Sequence, residues 1–365
     1  MKRKCNNIEI SDVEFIKSSI SHCLENKNKN RNDIQRIFGE YKTIDNLALA
    51  MSNEIKNRKL EIKPIWYKEK FDNSSQKLRR IGIQDIKQQM YDYIAVDALA
   101  PVLTRIGKHQ YASIKGRGPI KGVEQIYKWV QNPKVKYASK LDIRKCYESV
   151  DREKLMKFLE KRVKNDELLW LIHELLYTFE NGLSIGSYLS QYLCNLYLSE
   201  LYHDITENMY RIRKSKRGNK RVNLVYKCAF YMDDILLLGM NAKDLNKAVK
   251  LIKEKARQLG FTLKSNWRTF KIEKSFIDIM GYRIYKDHIT IRRRVFKKIR
   301  RSIIKFKRSS SIAWARKVVS YNGQIVHSDS CTFAKKYKWN KALKKARKVI
   351  SNESKISGAT TACCC

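Results

Sequence analysis

Val225-Tyr226-Lys227-Cys228-Ala229-Phe230-Tyr231-Met232-Asp233-Asp234-Ile235-Leu236-Leu237-Leu238 is the stretch that decides the fold. Two short apolar runs flank a polar apex, the pattern of a β-hairpin. The apex carries Asp233 and Asp234 where Asn-Gly or Asp-Gly would be the usual turn pair. Adjacent carboxylates repel each other, more strongly as water is excluded. A divalent cation relieves that repulsion, and Mg²⁺ is typically held by one or two carboxylates plus substrate phosphates. An isolated Asp-Asp pair is most often a solvated acidic turn, so the assignment needs a third acid in a matching setting.

Asp142 is that acid. Val135-Lys136-Tyr137-Ala138-Ser139-Lys140-Leu141 alternates as a strand, and Asp142 sits near its end. Alone, an aspartate there is ordinarily a cap or turn residue. Two-metal phosphoryl transfer, however, needs acids from separate strands around metals about 4 Å apart. Asp142, Asp233 and Asp234 supply such a set, with the backbone carbonyl of Ile143 as a further oxygen ligand. Mg²⁺ is the expected ion, with Mn²⁺ admissible in its place.

In order and spacing these segments resemble the reverse transcriptases. Tyr231-Met232-Asp233-Asp234 matches the family's central catalytic motif, and Asp142 with Tyr147 matches its first catalytic strand, where an aromatic residue lies under the incoming sugar. Gly182-Leu183-Ser184-Ile185-Gly186-Ser187-Tyr188-Leu189-Ser190-Gln191 is similar to the family's glycine turn followed by a helix. The resemblance runs over residues 77–282. It implies an α+β right-hand polymerase with fingers, an antiparallel-sheet palm and a helical thumb. It implies catalytic Asp142, Asp233 and Asp234, and exclusion of a 2′-hydroxyl by Tyr147.

The remaining segments agree with that likeness. Residues 184–202 are rich in Leu and Tyr and read as a mostly buried helix. Gln191 and Asn195 share one face of it. From the residues alone they are a satisfied core pair; the resemblance sets Gln191 against the template or incoming nucleotide. Gly186 is expected to let the backbone approach substrate. Lys77-Leu78-Arg79-Arg80-Ile81-Gly82-Ile83 would by itself be a solvated charge run. It resembles the fingers strand that grips the triphosphate, which makes Lys77 and Arg79 candidates. Tyr111-Ala112-Ser113-Ile114-Lys115-Gly116-Arg117-Gly118 stands where the family packs a loop against the template, with Arg117 the nucleic-acid contact.

Further on, the resemblance implies a lysine that protonates the pyrophosphate leaving group. The chain offers Lys264, Arg268 and Lys271. Arginine is a poor proton donor, the two lysines stay open, and Lys264 is carried among the nucleotide contacts. Ile279-Met280-Gly281-Tyr282-Arg283 is similar to the strand and turn that position a primer end, though a plain hairpin with a core tyrosine fits the same residues. Beyond it, Arg292, Arg293, Lys297 and Lys298 recur among apolar residues, so one helix face can pack while the other meets phosphates. Those four and Arg283 complete the expected nucleic-acid contacts.

The composition points to a polyanionic partner. Lys and Arg number 77 against 36 Asp and Glu, a net charge of +41 that repels itself in a compact fold unless a polyanion binds. Twenty tyrosines and six tryptophans offer stacking faces, although most belong in the core. No run of about 18 apolar residues exists. Nine cysteines, six scattered singly and three closing the chain, fit a reducing cytoplasm better than a disulfide framework. The expected organisation is a helical N-terminal extension (1–65), fingers (66–134), palm (135–288), a basic helical thumb (289–350) and a disordered tail (351–365).

Size and motif form resemble the compact prokaryotic reverse transcriptases, the group II intron, retron and diversity-generating-retroelement superfamily. Ile185, Gly186, Ser190 and Gln191 resemble the form found in diversity-generating retroelements and in relatives tied to antiphage defence. The divergent N-terminal stretch favours the defence-associated kind, with a retroelement enzyme as the alternative. Expected partners are a structured non-coding RNA as template or guide, dNTPs and the DNA product, with no membrane. An oligomer or accessory protein stays open. Two rival classes are weaker. Viral-type RNA-dependent RNA polymerases usually carry Gly before the paired Asp, and a non-catalytic RNA-binding scaffold should have lost at least one acid.

Overall fold

The computed structural model describes residues 2–25, 27–72, 77–214 and 218–362. Three helices come first: α1 (Val13–Leu24), α2 (Asn32–Tyr41) and α3 (Ile44–Lys56). A hairpin of β1 (Trp66–Asp72) and β2 (Lys77–Ile83) follows, then α4 (Ile86–Ala98), α5 (Ala100–Leu103), β3 (Gln110–Tyr111) and α6 (Pro119–Val130). The centre of the chain holds β4 (Tyr137–Asp142), α7 (Arg152–Glu160), α8 (Asp166–Tyr177) and α9 (Tyr188–His203). Next come β5 (Tyr210–Arg213), β6 (Lys220–Asn223), β7 (Lys227–Tyr231), β8 (Asp234–Gly239), α10 (Ala242–Gln258) and β9 (Arg268–Lys271). The last part contains β10 (Ile277–Ile279), β11 (Tyr282–Ile284), β12 (Ile289–Ile291), α11 (Arg293–Ser309), α12 (Ile312–Ser320), α13 (Asn322–Val326), α14 (Cys331–Lys336) and α15 (Trp339–Ala362).

The central sheet has the order β3-β7-β8-β4-β9. It is antiparallel except at one edge, where β3 runs parallel to β7. Its strands sit between helices: Ile235 and Leu237 point into a core shared with α9 and α10, while Leu236 and Leu238 point into a second core with Val123, Ile126 and Trp129 of α6. Burial on both faces accounts for the unbroken Ile235–Leu238 apolar run, which would alternate if one face met water. β3 and α6, expected in the fingers, thus pack with the central sheet. A separate three-stranded sheet, β10-β11-β12, carries the second core onward, its first turn formed by Met280 and Gly281 at positive φ.

The first three helices are built into the main core. α1 and α3 lie within the expected helical extension and start on side-chain caps, Asp12 accepting from the Phe15 amide and Thr43 from the Asn46 amide. Ile16, Ile20, Leu47, Met51 and Ile55 are fully buried with residues of α4 and α8. Lys4 is stitched to a distant segment: its amide donates to the Arg162 carbonyl at 2.7 Å and its carbonyl accepts from the Lys164 amide at 2.7 Å.

The final helices form a third core of their own. On α11, Ile299, Ile303 and Phe306 face inward at helical spacing, against Ala315, Val318 and a fully buried Trp339. Asn322 opens the short α13, and its Oδ1 accepts from Trp339 Nε1 at 3.0 Å. The stretch from Ser351, expected to be disordered, continues α15 as far as Ala362. A nucleated helix adds one hydrogen bond per residue, which is enough to carry a weak sequence onward. Cys363, Cys364 and Cys365 lie outside the described residues.

Candidate active site

The backbone register brings the acids together. Asp142 pairs directly with Asp234 across β4 and β8, and Tyr231 pairs with Asp234 across β7 and β8. Met232 and Asp233 therefore make a two-residue turn, with Met232 at φ +52°. A left-handed backbone at a non-glycine residue is uncommon. The Met232 side chain is held from two sides, its Sδ 3.4 Å from Asn195 Nδ2 and 4.0 Å from the Tyr147 hydroxyl. Asn195, buried on α9, also donates to the Ala112 carbonyl at 3.3 Å. The Ile143 amide donates to the Asp233 carbonyl at 3.0 Å, which fixes the turn against the end of β4.

Two lysines neutralise this cluster. Lys264 forms an ion pair with Asp142, and Lys140 one with Asp234 at 3.1 Å. Burial pushes the Asp233 carboxyl above its ordinary pKa, and Asp234 and Asp142 push it further. Asp234 is also raised by burial, with Lys140 opposing. Among the described residues no three His, Cys, Asp or Glu side chains converge as a ready-made metal cage. Asp142 Oδ1 is buried and accepts no hydrogen bond, its neighbour being the Lys264 ammonium. The donor set nonetheless suits a hard divalent cation, since every candidate ligand is an oxygen.

A cavity of about 650 Å³ opens in front of Asp233. Leu78, Arg79 and Arg80 of β2 form one wall, Ile143 to Glu148 another, and Ile185, Gln191, Met232 and Lys264 close it. Of the expected nucleotide contacts, Arg79, Tyr147, Gln191 and Lys264 line this space together. Lys77 opens β2, and its side chain lies outside the described residues. Burial raises the Tyr147 hydroxyl well above the ordinary phenol pKa, so it stays protonated. Gly186 does not approach the cavity as expected: a Cβ there would lie 2.5 Å from the Gly82 carbonyl, so its close approach is to β2. Gly182, at φ +47°, is confined by the Tyr147 and Glu148 carbonyls. The helix also starts later than expected, at Tyr188, capped by the Ser187 hydroxyl.

Packing separates the three candidates. Lys264 reaches Asp142, whereas Lys271 pairs with Glu273 and Arg268 lies over the Phe270 ring. The Arg117 guanidinium donates to the Gly107 carbonyl at 2.7 Å, which ties down its own loop. A second, more open groove of about 600 Å³ gathers Arg283, Arg292, Arg293 and Lys297 around Asp278. Arg292 is already held by Asp278 at 2.5 Å, and Arg283 Nε is buried without a hydrogen-bond acceptor. Lys298 lies outside this groove. Sequence reasoning missed Lys140, whose signal was its place two residues before Asp142 on the same strand face. It also missed Asp92, fully buried, which accepts from the Ser187 hydroxyl at 2.7 Å and the Leu189 amide at 3.3 Å and so anchors the start of α9.

The family model for reverse transcriptase (RNA-dependent DNA polymerase) matches residues 68–284, more than half of the chain. The chain belongs to the reverse transcriptase family. Its architecture is the right-hand polymerase fold of that family. The matched span encloses all three acids and every residue lining the large cavity, and leaves the α11 cations outside. Solved structures similar to this chain include apo telomerase from Candida tropicalis, with 12% identity, a TM-score of 0.46, and coverage of 69% of this chain and 51% of that one. A form of the same telomerase truncated from its C-terminal domain gives 12% identity, a TM-score of 0.43, and coverage of 70% and 66%. The chain thus spans about half the length of the first of these. No curated protein matches the sequence. Among the described residues no helix is long and apolar enough to cross a membrane.

Proposed function

We propose that the chain is an RNA-directed DNA polymerase that extends a 3′-hydroxyl with dNTPs at the Asp142, Asp233 and Asp234 end of the palm sheet. The observation that carries this is the Asp142–Asp234 register pair with Asp233 on the adjoining turn, facing a cavity walled by Arg79 and Lys264. Asp142, Asp233, Asp234 and the Ile143 carbonyl would hold Mg²⁺, with Mn²⁺ as a substitute. Bound divalent ions would lower the pKa of the attacking hydroxyl and neutralise the departing pyrophosphate. The chain's own groups do the rest. Arg79 takes triphosphate oxygens by charge-assisted bonds. Tyr147 lies against Met232 and limits space beside C2′. Lys264, released from Asp142, lines the cavity as Lys140 does not, and is the proton source for the leaving group.

The template reading rests on charge and on the family: a structured non-coding RNA suits a net charge of +41 and the basic groove around Arg283 and Lys297. The form of Ile185, Gly186, Ser190 and Gln191, with the three helices ahead of the fingers, supports a prokaryotic, defence-associated role. The activity is tested by primer extension with purified chain, RNA template, dNTPs and Mg²⁺. Asp233→Ala and Asp142→Ala should abolish extension while circular dichroism stays unchanged. Extension at the wild-type rate by either variant would remove the assigned site. Phage challenge of cells carrying wild type or Asp233→Ala tests the defence role, and equal plaque counts would remove it.

A further inference from the structure

Between α9 and β7 the chain makes a detour that adds nothing to the central sheet. β5 and β6 form a two-stranded sheet of their own, in the register Tyr210↔Asn223, Arg211↔Val222, Ile212↔Arg221 and Arg213↔Lys220. An isolated hairpin is marginal in water unless something covers a face. One face is tethered, since Arg211 forms an ion pair with Asp244 near the start of α10 at 3.0 Å. The opposite face is open: Tyr210 is 41% and Ile212 53% exposed, and the Arg221 guanidinium lies 3.8 Å over the Tyr210 ring. Farther out, on the face of Arg211, Arg213 and Lys220 stand directly opposite each other, and like charges in a cross-strand pair destabilise a hairpin. Lys214 adjoins them. Among the described residues none of these three lysine and arginine side chains has a carboxylate at ion-pair distance. The arrangement is unfavourable by itself and becomes favourable against a polyanion.

We propose that the β5–β6 hairpin is an RNA-binding arm separate from the catalytic cleft, and that it takes a single-stranded segment of the RNA. Arg213, Lys214 and Lys220 would neutralise phosphates where the strand crosses the outer end of the hairpin, while the Arg221–Tyr210 stack on the open face offers an aromatic and a guanidinium plane to an unstacked base. The arm lies at the far end of the palm. The 16 residues of α9 lead from the Gln191 end of the cavity to the arm, about 24 Å at the helical rise. A primer–template duplex held at the acids would leave the arm free for RNA outside it. This inference rests on the RNA-directed reading above, but its test does not need polymerase activity.

Two measurements on the full chain decide it. The first is affinity for a single-stranded RNA oligonucleotide across a salt series, for wild type, Tyr210→Ala and the triple variant Arg213→Ala, Lys214→Ala, Lys220→Ala. The second is extension of a short RNA–DNA duplex confined to the cleft. The triple variant should lower the slope of log affinity against log salt by about 2, at roughly 0.7 for each phosphate left without its cation. Tyr210→Ala should weaken binding about ten-fold, as expected when one stacking partner is removed. Extension of the short duplex should stay at the wild-type rate. Unchanged RNA affinity and slope would overturn the proposal, as would a larger loss for duplex DNA, or for an acidic protein, than for RNA. Wild-type protein that binds RNA through the arm yet extends nothing would refute the activity and uphold the arm.

Discussion

Lys264→Met should tighten metal binding and slow catalysis at once. The ammonium of Lys264 rests on Asp142, where an ion would need the carboxylate. Unit charges about 4 Å apart interact by about 1 kcal/mol in water and about 4 kcal/mol near a protein surface. The two side chains are 31% and 29% exposed, so solvent screening removes much of the larger figure. A divalent ion doubles the repulsion, and an ammonium free to swing outward relieves part of it. The net effect is about 1–2 kcal/mol, or about 5- to 30-fold in Kd. Mn²⁺ titration of nucleic-acid-free protein, followed by electron paramagnetic resonance, reads it directly. Single-turnover extension should meanwhile fall by about 10²- to 10⁴-fold, the range for loss of a general acid. Lys264→Arg, which keeps the charge but donates poorly, should restore the weak metal affinity without restoring the rate. Unchanged or weaker Mn²⁺ binding in Lys264→Met would refute the competition between ammonium and ion.

Tyr147→Ala should raise ribonucleotide incorporation relative to deoxyribonucleotide, measured by competitive extension; unchanged discrimination would take the sugar gate away from this ring. Gly186→Ala, whose Cβ would lie 2.5 Å from a backbone carbonyl, should cost about 1–3 kcal/mol in denaturant melts. Gly122→Ala on α6 meets mainly the flexible end of Met280 at the same distance and gains helix propensity, so it should be near neutral; equal losses would show that the nearest atom does not govern the cost. Asp92, raised by burial to about 6, binds its proton more tightly folded than unfolded. Its contribution to stability is therefore full below the unfolded value near 4 and lost as pH rises through 6. Relative to Asp92→Asn, wild type should gain about 2 kcal/mol between pH 7 and pH 4, and a pH-independent difference would rule out ionisation of this carboxyl.

Local chemistry was legible wherever it alone sets the structure. The apolar runs around Asp233 give the hairpin, Asp142 ends its strand as expected, and the N-terminal extension is helical as expected, with α1 and α3 opened by Asp12 and Thr43 caps. What escaped depends on partners far along the chain. Gly186 meets Gly82, and β3 joins β7 across more than a hundred residues. Lys140 shows its role only when β8 lies beside it. Cys146 and Cys194, which look like scattered single cysteines, have their sulfurs 3.7 Å apart beneath the Tyr147 loop. α2 is hidden for a different reason: its short segment buries only Ile34 and Ile37, too few positions to set a period.

The stitch between Lys4 and the Arg162–Lys164 segment has a consequence during synthesis. Lys4 leaves the ribosome well before its partners, a delay of roughly 10–30 s at the usual rate of elongation. α4, which packs on α1, is made within the first hundred residues, so Ile16 and Ile20 can be covered early, but until the later segment emerges Lys4 has no partner and α4 lacks α8 and α9. The early helices of the nascent chain can therefore pair with one another while one side of α4 stays open to chaperones, waiting for a segment made much later. Folding speed should follow that long closure more than the strength of any single helix.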